Sequence, residues 1–330
     1  MAPFHIHGAS SASAFVGYSC VRAEQDVSGR GGIMLVAAHD VQAGEPLLVE
    51  APLLSCQGCG PGHPDYAARM RILDADLTGG TPAEKQTMVF LALLKLPMLA
   101  AFARAPRCTQ ERVLALQNEF ADPGSDVARA VGKLSCQLKS CLLVKPVSRD
   151  LLGAAAVGSD LPEDVISSVA TCALVNSFDF MPAQSDALFY TGSLFQHSCS
   201  PNAKYHTVLA PGPKRPGVSS QGMLEQSWVG EWRALRRVRA GEAVCISYLD
   251  DNWLARNRQT RRDRLLRGHG FHCCCACCEQ EVIAASKSTI PSSDLPQSCI
   301  SWGDLTLERL LAAVTLAKCE RVHTIPSYDQ

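Results

Sequence analysis

With 330 residues, 47% of them apolar, the chain can build one large domain with an insertion or two modest ones, which argues against wholesale disorder. A formal charge of −1 gives no support to a general nucleic-acid binder, which would be basic. No secretory leader is expected before the 16 cysteines, because MAPFHIHGASSASAF has neither a basic start nor a continuous apolar run; this disfavours a disulfide scaffold and favours metal binding or free thiols in a reducing compartment.

Residues 1–20 are expected to be a disordered N-terminus. The stretch lacks an acid before Glu24, as transit peptides do, but it also lacks an arginine before Arg22, so import is not favoured. Residues 21–60 are β-like. GGIMLVAAHDVQAGEPLLVEAPLL predicts two strands around a turn, with Asp40 and Ala43-Gly44-Glu45 at the tip. Residues 61–160 predict a helical insertion. Thr81 can cap a helix and Pro82 suits its first turn. Apolar residues then recur at Met88, Leu91 and Leu94, and again at Val113, Leu116 and Phe120. The run from Met88 to Ala103 holds Lys95 and Pro97 and is too short to span a bilayer comfortably. It predicts a buried helix kinked or ended near Leu96, with no membrane role.

Residues 161–268 predict a helix from Pro162 to Val175, then short strands. HDVQAGEPLLVE (His39 to Glu50) and RRVRAGEAVCIS (Arg236 to Ser247) echo one another, and each by itself predicts a hairpin. Between them, Ala210 to Ser227 is rich in Pro, Gly and Ser and predicts a long loop. Leu254 to Gly268 has six arginines against one acid, which a solvated helix face accounts for better than a nucleic-acid contact. Residues 281–330 predict a Ser-rich linker and one helix from Leu305 to about Lys318.

Two cysteine motifs differ in strength. FHCCCACCE (Phe271 to Glu279) contains Cys273, Cys275 and Cys278 as C-x-C-x-x-C, while Cys274 and Cys277 offer a C-x-x-C, so spacing alone leaves the trio open. Three thiolates here can wrap a zinc ion, which needs a fourth ligand from elsewhere. Cys56 and Cys59 form a lone C-x-x-C with only His63 nearby, and no metal is expected there.

In order, the chain carries VNSFDF (Val175 to Phe180), FQHSCSPN (Phe195 to Asn202), VCISYLD (Val244 to Asp250), an Arg-rich helix and GFHCCCACC. This set resembles the SET-domain protein lysine methyltransferases, in particular the SET and MYND (SMYD-like) branch. The resemblance covers Gly29 to about Glu50 and Leu161 to Cys278. It implies an α+β fold: a mostly-β SET fold of small curved sheets and a pseudoknot. A helical insertion, a post-SET zinc site over residues 269–280 and a short C-terminal helix would complete it. It implies S-adenosylmethionine and zinc as cofactors and a lysine-bearing peptide or histone tail as substrate.

Carried over by position, the resemblance makes Cys199 the fourth zinc ligand beside Cys273, Cys275 and Cys278. Gly32, Asn176, Gln196 and His197 would line the cofactor, and Phe271 would stack on its adenine. Tyr248 would be the catalytic-channel tyrosine, with Phe178 and His269 completing the channel. Asn202 would lie in the strand that threads the knot-like core. Three positions depart from the family pattern: Met34 replaces the second glycine of a G-x-G that begins at Gly32, Gln196 replaces an asparagine, and His269 replaces a tyrosine. These departures keep open a catalytically weak SET module that binds a protein or peptide. A complete MYND finger and a long helical C-terminal region are not expected, which suggests a more open cleft. The expected state is a monomer in the nucleus or cytoplasm, without direct nucleic-acid or membrane binding.

Overall fold

The computed structural model describes residues 16–25, 32–57, 97–116, 126–137, 161–180, 185–211, 226–269 and 271–287, with isolated positions at 67, 71, 85, 88 and 89. The loop expected over Ala210 to Ser227, Cys59 with His63, and the helix expected from Leu305 fall largely or wholly outside the described residues.

Eleven short strands lie among the described residues: β1 (Val16–Ser19), β2 (Val21–Gln25), β3 (Ile33–Ala37), β4 (Pro46–Glu50), β5 (Leu54–Gln57), β6 (Phe178–Phe180), β7 (Ser185–Leu188), β8 (Gln196–His197), β9 (Ala203–Pro211), β10 (Gln226–Ala234) and β11 (Cys245–Ile246). They form four small sheets, ordered β1-β4-β10-β9, β2-β3, β5-β7-β6 and β11-β8. In β3 and β4, Leu35, Val36, Ala37, Leu47 and Leu48 are all buried, so these strands are covered on both faces and lose the apolar–polar alternation of a half-exposed sheet.

The two echoing AGE segments correct one expectation. Neither folds as its own hairpin; they pair with each other. Val41 and Val238 exchange N–H···O bonds of 2.9 Å each, and Val244 N–H donates to Leu35 O at 2.8 Å. Asp40 accepts from Arg237 Nη2 at 2.5 Å and from Ala240 N–H at 2.9 Å, joining the turns across 200 residues of sequence. Local turn chemistry was legible. The partner was not, because either strand could satisfy its backbone groups locally or at a distance.

The helices are α1 (Arg107–Leu114), α2 (Asp126–Gln137), α3 (Glu163–Asn176), the single turn α4 (Asp251–Leu254), α5 (Arg258–His269) and α6 (Ala276–Lys287). Residues 97–104 are also helical. Pro162 precedes α3, and Glu163 and Asp164 occupy its first turn, favourable to the helix dipole. Its buried face, with Ile166, Val169, Ala170 and Ala173, recurs at helical spacing and packs with α1 and α2. That helical core (Met98, Phe102, Val113, Leu134, Ile166) also takes in Leu54 and Leu188 from the third sheet. Helix α6 runs through the boundary expected at residue 280 and carries Cys277 and Cys278 in its first turn.

A second core centres on Trp232, fully buried at 0% exposure. Phe195 stacks on it at 5.4 Å between centroids, and Phe189 meets it edge-on at 5.1 Å. The indole presses on backbone: a Cβ at Gly192 would lie 2.4 Å from Trp232, and one at Gly230 would lie 2.8 Å from Phe189. Gly192→Ala is therefore expected to destabilise the fold by about 1–3 kcal/mol through overpacking. Denaturant unfolding checks this; a midpoint unchanged from the parent would contradict it.

Beside the same core, Glu50 is buried at the end of β4, and its carboxylate accepts from the N–H groups of Tyr190, Thr191 and Gly192 at 2.8–3.1 Å. Burial pushes its pKa above the ordinary carboxylate range, against those three donors, which pull it down.

Strand β8 runs parallel to β11, with Gln196 opposite Cys245 and His197 opposite Ile246. Ser198 N–H donates to Ile246 O at 2.9 Å. Asn202, buried immediately before β9, fixes this crossing: its Oδ1 accepts from Cys245 N–H at 2.8 Å and its Nδ2 donates to Ala243 O at 2.8 Å. The residues on either side of β8 and β11 thus meet two further pieces, the C-terminal end of α5 and the cysteine run.

Candidate active site and metal centre

The Sγ atoms of Cys199, Cys273, Cys275 and Cys278 all lie within 4.8 Å of one another. Cys199 Sγ is 3.9 Å from that of Cys273 and 3.7 Å from that of Cys278, and Cys199 N–H donates to Cys275 Sγ at 3.4 Å. A tetrahedral zinc with Zn–S bonds of about 2.3 Å has sulfur–sulfur edges of about 3.8 Å, so the group could hold such an ion with little movement. Hydrogen bonds with Cys199 and Cys275, then burial, hold Cys273 far above the ordinary thiol range, and bonds with Cys199 and Cys273 hold Cys275 far below it. Four thiols this close cannot all ionise without a cation among them.

The structure also separates the two trios that spacing left open. Cys273, Cys275 and Cys278 are buried, whereas Cys274 is exposed and Cys277 turns its Sγ to Glu281 Oε1 at 3.6 Å.

His197 links this cluster to Tyr248. Tyr248 N–H donates to His197 Nδ1 at 3.0 Å, so that nitrogen is the acceptor and the ring proton lies on Nε2, 3.4 Å from Cys199 Sγ. Burial lowers the His197 pKa to about 4, with Cys275 opposing and Arg261 assisting, so the ring is neutral at physiological pH. The Tyr248 hydroxyl donates to Phe195 O at 2.6 Å, and burial raises its pKa above that of an ordinary phenol.

Around Tyr248 the rings converge. His269 lies 4.9 Å away, Phe271 6.2 Å away edge-on, and His197 lies 6.0 Å from Phe271. Phe271 is left half-exposed. Gln196 donates from Nε2 to Ile33 O at 3.4 Å, which ties β8 to the start of β3. Gly32, just before it, has a φ of +89° and open space where a side chain would stand. Met34 sits within β3, opposite Glu24.

Two expected site residues are placed more deeply. Asn176, at the end of α3, is buried and donates from Nδ2 to Cys172 O at 3.1 Å. Phe178 has Phe189, Tyr205 and Trp232 as ring partners, at 5.6, 4.8 and 5.5 Å.

The arginine-rich helix corrects the expectation of a solvated face. Arg261 and Leu265 are buried, and Arg261 Nη2 points at the cysteines. Sequence reading missed Arg261, Glu50 and Trp232. The spacing of Arg261 and Leu265, i and i+4 on one helix face, was the available signal for the first.

No family model matches the chain. Curated proteins match part of it, among them the following three. Protein-lysine N-trimethyltransferase SMYD5 of Mus musculus is 30% identical over 104 residues, 32% of this chain and 21% of that protein. Histone-lysine N-methyltransferase set5 of Schizosaccharomyces pombe is 31% identical over 123 residues, 37% of this chain and 31% of that protein. Histone-lysine N-methyltransferase Smyd1 of Mus musculus is 28% identical over 128 residues, 37% of this chain and 24% of that protein.

Over these segments the chain is similar to lysine methyltransferases of the SMYD-like branch.

Its α+β architecture of small sheets and helices, with a parallel two-strand crossing, agrees with the fold class expected from the motif order. A solved SET domain of LSMT bound to lysine and AdoHcy aligns with a TM-score of 0.40 at 14% identity, over 78% of this chain and 54% of that one. The chain spans only about a fifth to a third of the length of the curated relatives named.

Proposed function

We propose that this SMYD-like protein is an S-adenosylmethionine-dependent protein-lysine N-methyltransferase, with zinc as a structural ion. The observation that carries the reading is the four-cysteine group, which draws the cysteine run back onto β8 so that Phe271 and His269 stand beside Tyr248. The curated relatives named as lysine methyltransferases support the same activity.

The residues fit the methyl donor. Phe271 offers a half-exposed aromatic ring for a purine, and Gly32 leaves open space beside the start of β3. Gln196, whose Nε2 reaches Ile33 O, and His197, whose ring lies 6.0 Å from that of Phe271, form the strand between them. When bound, the donor supplies a sulfonium methyl, which is electrophilic.

The chain's own contribution is to prepare the acceptor. A free lysine has a pKa of about 10.4, and its ammonium has no lone pair with which to attack. Rings around the entering side chain strip water from it and disfavour the charged form. Tyr248 and His269 would stand at this channel, with Phe178 and the aromatic core behind supporting its wall. The Tyr248 hydroxyl donates its hydrogen bond to Phe195 O, which leaves its oxygen lone pairs to orient the reacting groups. Neutral His197 fixes the Tyr248 backbone and adds no positive charge beside a sulfonium. A neutral His269 would do likewise.

The substrate is a lysine on a protein, a histone tail or another exposed segment, and the thiols favour a reducing compartment such as the nucleus or cytoplasm. Calorimetry of the zinc-loaded full chain with S-adenosylmethionine, followed by labelled-methyl transfer to protein or to the chain itself, tests the proposal. Binding with transfer is the expected result. A folded, zinc-loaded chain that binds no S-adenosylmethionine would instead be a peptide-binding scaffold, the reading that the histidine at position 269 favours.

A further inference from the structure

Arg261 is 4% exposed, on the helix that leads into the cysteine run. Its Nη2 lies 3.7 Å from Cys278 Sγ, 3.9 Å from Cys277 Sγ and 2.6 Å from Glu281 Oε1, while Nη1 donates to Arg256 O at 2.5 Å. One planar group thus spans α5, the metal cluster and α6. A buried guanidinium is costly unless it is paired and hydrogen-bonded, so so many partners on one group require an account.

The chemistry of the cluster supplies one. Four thiolates around one divalent zinc leave two uncompensated negative charges in a partly buried site. A neighbouring cation that donates to a thiolate sulfur lowers that cost, and a guanidinium does so in a fixed fork that an ammonium cannot reproduce. Glu281 Oε1 at 2.6 Å and Cys278 Sγ at 3.7 Å accept from a guanidinium that stays protonated in proteins. Glu281, itself partly exposed, holds the outer edge of the guanidinium.

We infer that Arg261 is a positioning residue for the metal centre: its guanidinium offsets the negative charge of a four-thiolate zinc site and locks α5 and α6 around it. The inference rests on the zinc reading above and reaches beyond the ligands themselves. Groups surrounding a metal's ligands typically set its affinity by a factor of 10–100.

The test is zinc affinity of the full chain, measured by competition with a chromophoric chelator, together with the thiolate-to-metal absorption of the cobalt-substituted protein. Arg261→Gln is expected to bind zinc roughly 10–100-fold more weakly while keeping the four-thiolate cobalt spectrum, because no ligand is removed. Arg107→Gln, on an exposed arginine of α1, should leave the affinity unchanged. Zinc affinity of Arg261→Gln within threefold of the parent would overturn the inference. Should that variant fail to fold, Arg261→Lys decides: the lysine cannot span Cys278 and Glu281 together, so about a tenfold loss is expected and parental affinity would overturn the inference. A parent chain that takes up neither zinc nor cobalt is a different result, and it would overturn the metal reading itself.

Discussion

Cys199→Ser is expected to abolish stoichiometric zinc binding and, with it, the docking of residues 271–287. Serine is nearly isosteric, but its hydroxyl does not ionise at neutral pH and is a poor ligand for zinc beside three thiolates. Losing a direct ligand should weaken binding beyond the roughly 10–100-fold typical of surrounding groups. Because structural zinc binding is coupled to folding, the loss reaches past the ion. Cys199 lies in the stretch between β8 and β9, while its three partners lie 74 to 79 residues later. Without a shared ion, Phe271 and His269 lose their link to His197 and Tyr248. Zinc content by mass spectrometry, and proteolysis of the segment from Phe271 onward, read the two effects. Cys274→Ser, at the exposed cysteine of the same run, is the matched control and should retain full zinc. Parental zinc content in Cys199→Ser would show that Cys199 is not a ligand.

The second large effect concerns Tyr248. Tyr248→Phe removes the hydroxyl bonded to Phe195 O and keeps the ring that packs against His269 and Phe271. If the proposed methyl transfer is correct, kcat should fall by roughly 10²–10³, the scale for deleting one preorganised polar group at a reacting centre. Binding of S-adenosylmethionine should change far less, because the hydroxyl is assigned to the reacting geometry and not to holding the donor. Single-turnover transfer and calorimetry separate the two quantities. Equal losses in both would make Tyr248 a residue of the pocket wall alone. The backbone of the residue, anchored by His197 Nδ1, is untouched by the substitution, so misfolding is not expected to confuse the measurement.

Much of this site was readable in the chain itself, because its chemistry is local. QHSC, SYLD and the C-x-C-x-x-C run are each a few residues long, and each residue type announces a job: thiolates for a soft divalent ion, a tyrosine at the edge of a short strand, amides where a chain must turn. Helix α3 was legible for the same reason, since Pro162, two acids and an apolar face at helical spacing are all local signals.

What the sequence could not settle are choices between equivalent local features. Cys274 and Cys277 offered the same spacing as true members of the cluster, and only the fold turns one to solvent and the other to Glu281. Each AGE turn was a sound hairpin signal, yet the two close on each other, because strand pairing is decided by which long-range partner satisfies the backbone at lowest cost. Arg261 looked like one more charge on a polar helix until the cysteines arrived beside it. Composition and motif order determined the chain's likeness to SET-domain proteins and the supply of thiols for a metal. Tertiary structure alone decided which sulfurs converge, which charge faces them and which rings surround Tyr248, because those depend on distances between segments that sequence separation leaves free.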